Sequence, residues 1–138
     1  MQNKVKNEPS KSESKIQQEI AMYYRNSFCL KHHKPRCMIL SIPNEGRAAA
    51  SMQLMATGLY PGAADLMVIH QKEQWRQDVE DESVLVGYRS ISLFIECKAE
   101  AGVQSDKQKE FEEHARAAGI NYHIVRSLDE FKQVLKNL

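Results

Sequence analysis

At 138 residues the chain has the length of one domain, large enough to bury a core without metal or disulfide staples. Hydrophobic residues make up 42% and charged residues 27%, ordinary for a globular protein, and no apolar run reaches the roughly 20 residues that cross a bilayer, which excludes a membrane-spanning helix. Net charge is +1 but unevenly spread: Lys4, Lys6, Lys11, Lys15, Arg25, Lys31, Lys34 and Arg36 crowd the first quarter, a region suited to phosphate, while Glu73, Asp78, Glu80, Asp81 and Glu82 crowd one later segment.

Residues 1–13 read as a flexible polar tail and 14–138 as the folded domain. The start of the chain lacks the apolar stretch of a secretory signal, so a cytoplasmic protein is expected, and three cysteines fit a reducing compartment. Residues 14–17 form a capping-box pattern, Ser14 with Gln17, and Ile16, Ile20, Tyr23 and Phe28 follow near helical period, predicting a first helix to about residue 31. Residues 36–42 are apolar and β-branched and stop at Pro43, a strand entering the loop Pro43-Asn44-Glu45-Gly46. Residues 48–56 suit a short helix, and Pro61-Gly62 forces a turn before the buried-strand pattern of 65–69.

Residues 71–87 are polar and acidic apart from Trp75 and 84–86, and read as an extended connection or irregular hairpin. Residues 89–98 alternate cleanly: Ile91, Leu93, Ile95 and Cys97 share the core face, and Ser92, Phe94, Glu96 and Lys98 share the other, which is expected to face a cleft or solvent. Ser105-Asp106-Lys107-Gln108 is a second capping box, opening a helix with Phe111, Ala115 and Ala118 on one face and Gly119 as its stop. Residues 121–126 read as a strand, and Ser127 with Glu130 opens a last helix carrying Leu128, Phe131, Leu135 and Leu138 at core spacing. Helix, strand, short helix, two strands, helix, strand, helix predicts an α/β sandwich on a mixed central sheet.

The chemistry concentrates at Asp65, Glu96 and Lys98. Residues two apart on a strand project together, so Glu96 and Lys98 share a face, while Asp65 follows a turn that sets it at a sheet end. Two neighbouring carboxylates repel, and a divalent cation relieves the repulsion. Magnesium fits, with manganese able to substitute: it takes oxygen ligands, here Asp65, Glu96 and the main-chain carbonyl of Cys97, and acidifies a water while offsetting phosphate charge. Lys98 is placed to stabilise charge that appears in the transition state. A Glu and a Lys two apart are also common as an ion pair on a wet surface. Gln108 shares the stripe of Phe111 and Ala115, where an apolar residue is expected, and a buried glutamine needs partners; it reads as aimed at the catalytic water or the scissile phosphate, or only as the cap of its own helix.

Cys29, His32, His33 and Cys37 resemble a zinc cluster only superficially, because their spacing matches no usual finger or ribbon. Cys97 points away from Glu96 and is expected in the core, and Trp75 and Tyr60 suit base stacking or plain packing.

Asp65 after Gly58-Leu59-Tyr60-Pro61-Gly62, followed by Glu96-Cys97-Lys98, resembles the PD-(D/E)XK pattern of restriction-endonuclease-like nucleases. The remainder resembles the VRR-NUC branch over residues 16–135: Glu19 in the first helix, Ile42-Pro43-Asn44, the Ser105-to-Gln108 helix start, and Val125-Arg126-Ser127, with serine where a second arginine would stand. Ala64 also stands where family members commonly carry proline. The resemblance implies a magnesium-dependent endonuclease acting on DNA, with Glu19 joining Asp65, Glu96 and Cys97 as a ligand or water-mediated acid. From sequence alone, Glu19 on the flank of its helix reads equally as a solvated surface acid.

Stand-alone members of that branch resemble junction resolvases, so a branched DNA such as a four-way (Holliday) junction is the expected substrate, cut by a homodimer because paired cuts need two sites. The rival readings are a less selective flap or duplex nuclease and a non-catalytic DNA-binding module.

Overall fold

The computed structural model describes residues 10–43, 56 and 58–138, so the expected helix over 48–56 lies almost wholly outside the described residues. The chain is an α/β protein. Helix α1 (Glu13–Tyr24) runs into a π-helical turn (Arg25–Cys29), and strands β1 (Met38–Ser41), β2 (Leu66–Gln77) and β3 (Ser83–Cys97) follow, then α2 (Asp106–Ala117), β4 (Asn121–Val125) and α3 (Leu128–Lys136). The sheet is mixed, in order β1-β2-β3-β4, antiparallel except for the parallel β3/β4 pair.

Helix α1 begins two residues earlier than the Ser14 capping pattern implies: Ser12 is the N-cap and accepts from the Lys15 backbone N–H. Its buried stripe is Ile16, Ile20 and Tyr24, a strict four-residue step, which leaves Tyr23 on the flank beneath the Lys132 ammonium. The Ser105 capping box forms as read, with Ser105 Oγ accepting from the Gln108 N–H and Gln108 Oε1 accepting from the Ser105 N–H. At α3 only half of the box forms. Ser127 Oγ accepts from the Glu130 N–H, but the Glu130 carboxylate accepts from the Arg126 N–H at 2.6 Å.

Alternation along β3 splits the core in two. Ile91, Leu93, Ile95 and Cys97 pack with Leu66 and Val68 of β2 beneath Ile16, Ile20 and Tyr24 of α1 and Phe131 of α3. On the opposite face, Phe94 joins Tyr122, Ala63, Ala64 and the α2 residues Phe111 and Ala115. The face bearing Glu96 and Lys98 is therefore covered, which removes solvent from the two readings of a cleft or solvent, and the two residues are 1% and 6% exposed. A period of two assigns residues to faces but cannot say whether a helix lies over the second face.

The turn before Asp65 is fixed by close approach to α2. Gly62 has φ +79°, and a Cβ there would sit 2.3 Å from the Lys107 carbonyl oxygen, so only glycine lets this loop dock on the helix start.

The stretch over 71–87 is the irregular hairpin, the second of the two readings its sequence allows. β2 and β3 stay paired from Leu66 with Ile95 out to Gln77 with Ser83, with one register shift at Gln74/Trp75. Every residue from 72 to 90 is exposed except half-buried Gly87. Polar residues on both faces blur the alternation that marks a half-buried strand, which is why the sequence leaves an extended connection open beside the hairpin. No helix among the described residues is long and apolar enough to cross a membrane.

Candidate active site

Four elements converge at one end of the sheet: the start of β2, the end of β3, the first turn of α2 and the first turn of α1. Leu66 faces Ile95 across β2 and β3, so continuing the register by one residue sets Asp65 opposite Glu96. Asp65 is fixed there, its Oδ2 accepting from the Cys97 backbone N–H at 2.7 Å.

Glu96 is the centre of the cluster. Gln108 Nε2 donates to its Oε1 at 2.7 Å, and Lys98 Nζ lies 3.2 Å from the same oxygen. Its other oxygen, Oε2, is buried without a hydrogen-bond partner among the described residues. Burial first, then the Asp65 charge, pushes the Glu96 pKa up to about 7; Lys98 opposes that shift and Glu13 adds to it. The native carboxyl therefore holds a proton that the unfolded chain releases near 4.5. Stability from this group is complete below pH 4.5 and is lost as pH rises through 7, a difference of about 3 kcal/mol. In ion-free buffer, Glu96→Gln should flatten the fall in unfolding free energy between pH 4.5 and 8 by about that amount. Urea melts at several pH values measure it, and an unchanged slope in the variant refutes the assignment.

The acid contributed by α1 is Glu13. Its Oε1 lies 3.7 Å from Lys98 Nζ, whereas Glu19 pairs with Lys11 at 2.8 Å and lines a separate cleft with Tyr23 and Leu128. Sequence reading missed Glu13 because a helix beginning at Ser14 leaves residue 13 outside it; Ser12 as the true N-cap puts Glu13 in the first turn, where acids are favoured. Gln108 caps α2 through Oε1, as the second of its two sequence readings had it, and donates through Nε2 to Glu96, a partner that neither reading named.

Arg126 gains a role that the motif alone did not supply. Its Nη1 donates to the carbonyls of Ala99 at 2.6 Å, Gly102 at 2.8 Å and Glu100 at 3.3 Å, clamping the loop that follows Lys98. Gly102 of that loop lies against Glu13: a Cβ there would come within 3.1 Å of Glu13 Oε1.

Cys97 is wholly buried in the main core, and its thiol is pushed up to about 12 by burial, then by Asp65 and Glu96, so it is no nucleophile. Cys37 Sγ accepts from the Gln71 N–H and faces His70, while His33 Nδ1 accepts from the Leu30 N–H. Among the described residues, no group of three or more His, Cys, Asp or Glu side chains is placed to hold a metal. Tyr60 packs edge-on against Phe111 at 5.0 Å and bonds His114, and Trp75 is 56% exposed on the β2/β3 hairpin, remote from Asp65.

The donor set at Asp65 and Glu96 is two facing carboxylates, one with an oxygen unpartnered among the described residues. Such hard oxygen donors are of the type that magnesium or manganese takes. Fold and site together define an α/β protein with a buried acid-lysine cluster at a sheet end. Comparison with known protein families, curated proteins and solved structures finds no match.

Proposed function

We propose that this protein is a metal-dependent nuclease that hydrolyses phosphodiester bonds in DNA, of the VRR-NUC type within the PD-(D/E)XK nucleases. The observation that carries the reading is the buried Glu96 carboxylate opposite Asp65, with one oxygen held by Gln108 and Lys98 and the other unpartnered among the described residues. Leaving such an oxygen unsatisfied costs about 1–3 kcal/mol or more, a cost relieved by a bound cation and otherwise met by protonation.

Asp65, Glu96 and the Cys97 carbonyl would hold a magnesium ion, with manganese as substitute. Once bound, the ion would supply Lewis-acid stabilisation of the phosphate. The protein's own groups do the rest. Gln108 fixes the rotamer of Glu96, and the Cys97 N–H fixes Asp65, so both acids are pre-oriented. Lys98, held between Glu96 and Glu13, donates to a nonbridging phosphate oxygen as charge builds there. Water adds to phosphorus, the P–O bond to the leaving group breaks, and that oxygen takes up a proton.

Within nucleic acids, we assign branched DNA such as a four-way junction, cut by two copies of the chain. The test incubates purified protein with labelled four-way junction, flap and linear duplex in magnesium. Preferential, paired cutting of the junction is expected. Cutting of none of the three would sink the enzyme reading and leave the rival of a DNA-binding module, and equal cutting of all three by a monomer would retire the junction as substrate.

A further inference from the structure

Beyond the part of the sheet covered by helices, β2 and β3 continue as a two-stranded arm, exposed from residue 72 to 90 apart from half-buried Gly87. Six or seven residues at about 3.4 Å each carry it roughly 20 Å past the domain. A lone two-stranded ribbon has no core of its own and is marginal in water. This one nevertheless puts Trp75, Leu85 and Tyr88 on one face, through the cross-strand pairs Trp75 with Leu85 and Glu73 with Tyr88, and leaves them 56%, 37% and 44% exposed; the one acid on that face, Glu73, accepts from the Trp75 indole N–H at 3.0 Å.

The two ends of the arm carry opposite charge. Its tip holds Asp78, Glu80, Asp81 and Glu82 with no basic residue between 77 and 88. The turn is built on Asp78, whose Oδ1 accepts from the N–H groups of Glu80 and Glu82. At the root, the loop before β1 presents Lys31, Lys34 and Arg36 around His33, lining a cleft of about 390 Å³. Met38 pairs with Ile69, which puts that loop level with the start of the arm. Four acids at the tip repel a nucleic-acid backbone and favour a basic protein surface, of the kind this chain carries at the arm's own root.

We infer that the arm is a dimerisation element: two copies lay their arms side by side in opposite directions, apolar face against apolar face, so that each acidic tip reaches the basic loop at the root of the other. A two-fold axis makes both contacts at once, because one self-complementary surface serves both copies. Trp75 and Tyr88 fill the centre, as aromatic residues do in stable interfaces. The inference stands on the arm and the loop and owes nothing to the reaction. It supplies the second copy that paired cuts across a junction require.

Trp75 is the sole tryptophan, so the protein carries its own reporter. Light scattering and sedimentation of the whole chain should find a dimer at micromolar concentration, with emission moving to the red on dilution as Trp75 meets water. Trp75→Ala should give a monomer. Glu80→Lys with Glu82→Lys should raise the dissociation constant about tenfold or more, as should Lys34→Glu with Arg36→Glu. An equimolar mixture of these two charge-reversed proteins should recover the wild-type constant, because each reversed tip then meets a reversed loop and each native tip a native loop. All these positions are exposed, so melting temperatures report whether folding is intact. A monomeric wild type, a dimer indifferent to these changes, or a mixture that fails to recover would each overturn the inference. A dimer that cuts no DNA would refute the nuclease reading and leave this one standing.

Discussion

Lys98→Ala is expected to slow DNA cleavage about a thousandfold while the protein still binds the same DNA. The loss has two physical parts. The donor that meets charge developing on the phosphate is removed, and Glu96 loses the positive neighbour that pulls its pKa down from the value set by burial and Asp65. In the variant more of Glu96 stays protonated at neutral pH, so residual activity should rise more steeply with pH than in the wild type. The Lys98 side chain is 7% exposed and its amine lies 3.2 Å from Glu96 Oε1, so its removal would leave an unpaired buried charge if Glu96 stayed ionised. Protonation avoids that penalty, and the melting temperature should therefore fall further at pH 8 than at pH 5.5. Single-turnover cleavage across pH, paired with thermal melts, measures both effects. A thousandfold loss with an unchanged pH profile would leave Lys98 only its role on the phosphate.

Asp65→Asn should abolish metal-dependent cleavage, by about a thousandfold or more, and leave DNA affinity and fold in place. An asparagine carbonyl can still accept from the Cys97 N–H, so the 2.7 Å contact that seats the β2 start survives, while the charge proposed to hold a cation is gone. Titrating magnesium while following protein stability separates the two tasks: the wild type should gain stability with magnesium and the variant should not. Equal stabilisation of both proteins would show that Asp65 carries no share of the ion.

The sequence exposed the centre of this site and hid its surroundings, for distinct reasons. Alternation from Ile91 to Cys97 put Glu96 and Lys98 on one face, and strand pairing then set Asp65 opposite Glu96. The Ser105 box placed Gln108 at the third position of α2, from which it reaches Glu96. Glu13 was invisible because the helix start was read two residues late. The burial of Glu96 and Lys98 was invisible because no local pattern records that α2 packs across their face of the sheet. Arg126 stood in a recognised triplet, yet its three carbonyl partners lie 24 to 27 residues earlier in the chain, a contact no local pattern encodes.

Gln108 and Arg126 also impose an order on when this cluster can work. Both follow Asp65, Glu96 and Lys98 in the chain, and both are needed to orient the groups already made. A ribosome that has released residues 65 to 98 has delivered the acids and the amine but neither the glutamine that fixes Glu96 nor the arginine that clamps the loop beyond Lys98. The aligned cluster therefore arrives late in synthesis, when α2 and the residue after β4 dock on the sheet, so an unfinished chain carries the acids and the amine without the contacts that hold them.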